Sequence, residues 1–171
     1  MHAVAIAAGP GYPGRTVTRW LHVLALATYF GTTLALVLVL LPAAEAVVEP
    51  AARRRLLARG LRPYNVLSVG ALGVLVISGA SALTDMKARY GAAYARLLWP
   101  LVGKLSLTFV LVNVATYLSF GLAHRLVRAE LGALPIEGEK QASMIRRMRG
   151  AGWLALGLAA WTAWVGLQLA P

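Results

Sequence analysis

The chain has 171 residues, of which 59% are hydrophobic and 13% charged, with a mean hydropathy of +0.68 and a formal net charge of +11. Soluble domains carry about 25% charged residues, so this balance excludes an ordinary soluble domain and points to an integral membrane protein. The basic residues cluster in short stretches between apolar runs, which argues against nucleic acid as a partner. The lack of cysteine excludes disulfides, thiolate metal sites and iron–sulfur clusters ligated by this chain.

Residues 1–18 are rich in glycine and proline and predict an irregular arm at the outer membrane surface. Four apolar runs follow, at about 20–41, 64–83, 99–123 and 153–169, each near the 20 or so residues that a helix needs to cross a bilayer. The expected fold is an all-α, single-domain, up-and-down bundle of four transmembrane helices. The first run is too long for a signal-peptide core, although PAAEA follows it, and it is expected to be retained.

The stretch RRRLLARGLR, residues 53–62, alternates arginine with leucine at helical spacing and predicts a short interfacial helix. Pro135, Glu137, Gly138 and Glu139 predict a solvated turn in the third connection. Eleven Lys and Arg residues lie in the first and third connections, against five before the first run and in the second connection. Because basic loops stay on the cytoplasmic side, both termini are expected outside, which in a bacterial inner membrane is the periplasm.

Ionisable groups at membrane depth default to functional candidates. His22, Tyr29 and Thr33 recur at helical spacing on one face of the first run. The outer ends of the runs add Thr84, Asp85 and Met86 from the second, Trp99, Pro100 and Lys104 from the third, with Arg96 just before it, and Trp164 and Gln168 from the fourth. An imidazole, a carboxylate, a thioether and an ammonium thus share one layer, the leading site. His22 reads equally as an interfacial histidine or a proton carrier, and Lys104 as a snorkelling lysine.

The inner layer collects Glu45, Arg62, Tyr64, Asn65, His124, Arg125, Arg146 and Arg149, a set suited to anionic headgroups. His124 belongs about 30 Å from His22, so no single heme or metal can use both. Asn113 and Tyr117 are expected to face the bundle interior. Ala151, Ala155, Ala159 and Ala163 form a small-residue ridge for close helix packing, as do Ser78 and Ala82 beside Gly70, Gly73 and Gly79.

The segments WLHVLALATYFGTTL, VLVISG and LLWPLVGKLSLTFVLVNVATY resemble the four-helix membrane proteins related to the copper-resistance protein D domain and to the bacterial membrane-bound protoporphyrinogen oxidase. The match lies in His22 followed by Phe30 and Gly31, and in the Lys104–Leu105 pair. The resemblance implies a bundle, often dimeric, that handles b-type heme, porphyrin or copper, with His22 as the axial or porphyrin-contacting histidine and Lys104 its charged neighbour. Oxidase-like proteins carry further histidines where this chain has PAAEA and Ala115–Thr116–Tyr117, a departure that argues against porphyrin-oxidising catalysis.

The reading that follows is a redox or heme-associated membrane protein that binds one heme b near the outer surface. Its candidate residues are His22 as iron ligand, Tyr29 along the same face, and Lys104 or Arg96 against the propionates, with the other axial position left to solvent, a substrate, Met86 or a residue of a second chain. Two alternatives stand beside it: a non-catalytic subunit of a larger membrane complex, and a copper-binding or copper-transport protein using His2, His22 and Met86. Membrane lipids, a second copy of the chain or other subunits are the expected partners.

Overall fold

The computed structural model describes residues 13–91, 94–132 and 138–168. Its elements are α1 (Pro13–Ala35), a first π-helical segment (Leu36–Leu40), α2 (Leu41–Ala46), α3 (Pro50–Tyr90), α4 (Tyr94–Thr116), a second π-helical segment (Tyr117–Ala123), α5 (His124–Glu130) and α6 (Gly138–Gln168). Four stretches are long and apolar enough to cross a membrane: Thr16–Ala46, Pro50–Thr84, Leu98–Glu130 and Glu139–Gln168. The chain is an all-α, four-helix membrane bundle. Each span packs against its neighbours in sequence, and the fourth closes the ring on the first.

The helices run further than hydropathy alone predicts. Residues 13–18, expected in an irregular arm, already belong to α1, where Pro13 fits a first turn because its missing N–H has no partner there in any case. Residues 1–12 lie outside the described residues, as do Pro135 and Glu137. The 53–62 stretch is no separate interfacial helix, for α3 continues through Pro63 over 41 residues, about 60 Å. Burial explains the continuity: Leu57, Leu61, Tyr64, Ser68 and Ala71 form one buried stripe across the proline. The Arg59 carbonyl that Pro63 frees lies at the polar end of the helix, where water can satisfy it. Gly138 and Glu139 likewise open α6 rather than a turn.

The two π segments each close with a hydrogen bond five residues back, from the Leu41 N–H to the Leu36 carbonyl and from the His124 N–H to the Ser119 carbonyl. Pro42 follows the first, and a widened turn relieves the clash between a proline ring and the carbonyl four residues earlier. Glycines let this segment approach its neighbours. A Cβ at Gly152 would overlap the Val37 side chain, and one at Gly60 would fall 2.5 Å from a Leu40 methyl.

Several polar side chains within the spans are satisfied by their own helix, which suits apolar surroundings. Thr28, Thr32, Thr33, Thr108 and Thr162 each donate to the carbonyl four residues back. Asn113 donates to the Phe109 carbonyl at 2.8 Å and is exposed. Asn113 therefore needs no partner inside the bundle, and Tyr117 is exposed as well, so both face away from the interior that the sequence assigned them.

Packing is uneven along the bundle. The large fully buried side chains, among them Leu36, Leu41, Leu57, Leu61, Leu118, Ile145 and Met148, fill the arginine-rich end and the middle. Ala155 and Ala159 of the expected ridge are buried there too. Toward His22 the buried residues among those described thin out to Ala25, Ser78 and Leu101, two of them small.

Candidate functional site

The inward stripe of α1 carries His22, Ala25, Tyr29 and Thr33 at successive turns. His22, half-buried, places Nδ1 2.8 Å from Ser78 Oγ on α3. The Ser78 hydroxyl has one proton, and it donates to the Val74 carbonyl, four residues back in its own helix. Its oxygen therefore accepts from His22. This arrangement favours the tautomer with hydrogen on Nδ1, in which Nε2 keeps its lone pair.

Two other spans complete the site. Lys104 of α4 is half-buried. Its ammonium extends toward α6, where a Cβ at Gly166 would fall 3.0 Å from Nζ. Gly79, next to Ser78, lies beside the imidazole, with a Cβ there 4.0 Å from Cε1. The first two spans are thus tied at His22 and Ser78, and the third reaches the fourth through Lys104 at Gly166.

The rest of the expected constellation is distributed differently. Thr84, Trp99, Pro100, Trp164 and Gln168 are exposed. The side chains of Asp85, Met86 and Arg96 lie outside the described residues, as does His2. His124 is exposed at the far end of the third span, twenty residues past Lys104 and so about 30 Å away. Tyr29 is fully buried and belongs to a second layer, two helical turns or about 10 Å deeper than His22.

That second layer gathers Tyr29, Thr33, Tyr64, Ser68 and Ser119, all buried. Ser68 and Ser119 hydroxyls stand 3.5 Å apart across α3 and the second π segment. Thr33 spends its proton on the Tyr29 carbonyl at 2.8 Å; its hydroxyl lies near both tyrosine hydroxyls, and those of Ser68 and Ser119 near that of Tyr64, but none comes within full hydrogen-bond geometry. Removing a buried, unpaired hydroxyl relieves a desolvation cost. Tyr29→Phe is accordingly expected to leave the thermal midpoint unchanged or to raise stability by about 1 kcal/mol; a clear loss would show that the phenol has a partner.

At the arginine-rich end Arg149 pairs with Glu45, joining two residues expected in one layer. Arg53 donates from Nε and Nη2 to the Val47 carbonyl at 2.9 and 2.7 Å, satisfying the acceptor where α2 ends. Among the described residues no group of three or more His, Cys, Asp or Glu converges to hold a metal.

Ser78 is the site residue that sequence reasoning missed. It reads as a small packing residue, and nothing local links it to a histidine 56 positions away. Compared with models of protein families, with curated proteins and with solved structures, the chain finds no match.

Proposed function

We propose that the protein is a multi-pass protein of a bacterial inner membrane with a heme- or porphyrin-associated redox role, binding one b-type heme near the outer surface through His22 Nε2. The observation that carries this reading is the Ser78 hydrogen bond, which directs the imidazole lone pair away from Nδ1. Histidine ligands characteristically donate their other ring N–H to such a partner, which fixes ring orientation and raises ligand basicity. Lys104 supplies a cation for a propionate carboxylate. The thin packing around Ala25 and Leu101 and the glycine beside the ring favour access by a flat molecule, and the resemblance of the first three spans to heme- and copper-handling bundles points the same way.

When bound, heme supplies one-electron chemistry. The chain's share is to hold the ligand nitrogen in the right tautomer, to balance carboxylate charge and to exclude water with apolar helices. Met86 would add a further iron ligand and Arg96 a second carboxylate contact.

An optical spectrum of protein purified from heme-supplied cells tests the reading. A Soret band in proportion to protein is expected, and its absence overturns heme binding. Orientation has its own measurement, helped by the lack of native cysteine. Arg55→Cys is expected to react only with reagents that reach the cytoplasm, and Lys87→Cys with impermeant reagents outside. The reverse pattern would invert the topology.

A further inference from the structure

At the end of the bundle opposite His22 lies a cavity of about 360 Å³ between the third span and the start of α6. Three cations, Arg125, Lys140 and Arg147, line it together with the Ser143 hydroxyl, and no carboxylate does. The arrangement follows from helical spacing. Lys140, Ser143 and Arg147 share a face of α6 at i, i+3 and i+7, while Tyr117, Gly121 and Arg125 descend one face of the third span. The floor is apolar, with Leu122 and Met144 both buried.

Two features separate this cavity from a general scatter of surface arginines. Arg149, two residues beyond Arg147, is paired with Glu45, whereas among the described residues Arg125, Lys140 and Arg147 form no ion pair. The second π segment also shapes the wall, since the Tyr117 ring lies so close over Gly121 that a Cβ there would fall 2.9 Å from it. Three like charges around one hollow repel one another, and an anion between them turns that repulsion into attraction.

We propose that this cavity binds a phosphate ester, its oxygens held by Arg125, Lys140 and Arg147 and its apolar portion lying on Leu122 and Met144. Two guanidiniums can each grip phosphate oxygens in a forked geometry, and the ammonium and hydroxyl add donors. The same chemistry is offered by an anionic phospholipid from the bilayer and by a soluble phosphate.

Native mass spectrometry of the full chain in mild detergent tests the site, with phosphatidylglycerol, phosphatidylcholine of the same acyl chains, and inorganic phosphate as probes. One phosphatidylglycerol retained per chain, with phosphatidylcholine held about tenfold less, is the result expected for a lipid ligand. Saturable binding of inorganic phosphate that displaces the lipid would identify a soluble ester as the ligand and support the same pocket. The double variant Arg125→Gln/Arg147→Gln should weaken retention of the bound probe by about tenfold or more. Arg54→Gln/Arg55→Gln, an equal charge change outside the cavity, should stay within about twofold of the parent. Ser143→Leu fills the cavity with charge unchanged and should also lower retention, which keeps the test decisive if the double variant fails to fold. Equal losses in the two arginine pairs, or no loss in Ser143→Leu, would overturn the proposal.

Discussion

His22→Ala is expected to abolish the Soret band of the heme-loaded protein, while Ser78→Ala is expected to keep the band and weaken heme retention by about 10- to 100-fold. The two outcomes differ because the side chains act at different removes. In the proposed site His22 would provide the nitrogen that meets iron, whereas Ser78 only holds the ring through Nδ1 at 2.8 Å. Without the serine oxygen the imidazole can rotate and exchange tautomers, and part of the bound population is lost. Tyr29→Phe should leave the spectrum untouched, since that phenol sits about two turns deeper. A band that survives His22→Ala unaltered would remove the histidine from the site, whatever cofactor is present.

The largest loss of stability is expected from Gly152→Val. Gly152 is buried, and a Cβ there would overlap Val37, a buried β-branched side chain on the first π segment. Valine at 37 has few rotamers in which to retreat, so the backbones of the first and fourth spans must separate. Overpacking of this kind costs about 1–3 kcal/mol, read as a lower thermal or denaturant midpoint. Gly60→Ala meets only the mobile methyls of Leu40 and should cost less. Gly70→Ala and Gly73→Ala, with nothing within 4 Å, should be neutral or gain up to about 1 kcal/mol from improved helix propensity. Val37→Ala combined with Gly152→Val should recover much of the loss, a coupling that a double-mutant cycle isolates. Equal effects at Gly152 and Gly73 would contradict the close approach of the two spans.

The four spans, the inward stripe of α1 and the small-residue ridge at Ala155 and Ala159 are legible in the sequence because each rests on a single helix period. Helix ends are not legible in the same way. Proline and arginine read as breakers at Pro63 and residues 53–62, yet a buried stripe on both sides of the proline outweighs one lost hydrogen bond. The first π segment is equally hidden: the buried positions Thr33, Val37, Leu41 and Ala44 keep ordinary helical spacing straight through it, so the burial pattern carries no trace of the widened turn. Asn113 shows a third limit, since a polar side chain in an apolar run can turn to its own backbone instead of a distant partner. The Ser78 contact depends on how two spans align in depth and rotation, information that neither strand of sequence carries alone.

The uneven filling of the interior has a consequence for motion. Amide hydrogens near Leu57, Leu118 and Ile145 sit where large side chains interlock, so their exchange with deuterium requires the whole bundle to come apart. Those near Ala25, Ser78 and Leu101 lie where the buried side chains among the described residues are fewer and mostly small, and exchange there is expected to need only a local opening of the helix ends. If the proposed heme binds at that end, its arrival should slow deuterium uptake there first, with the other end unchanged.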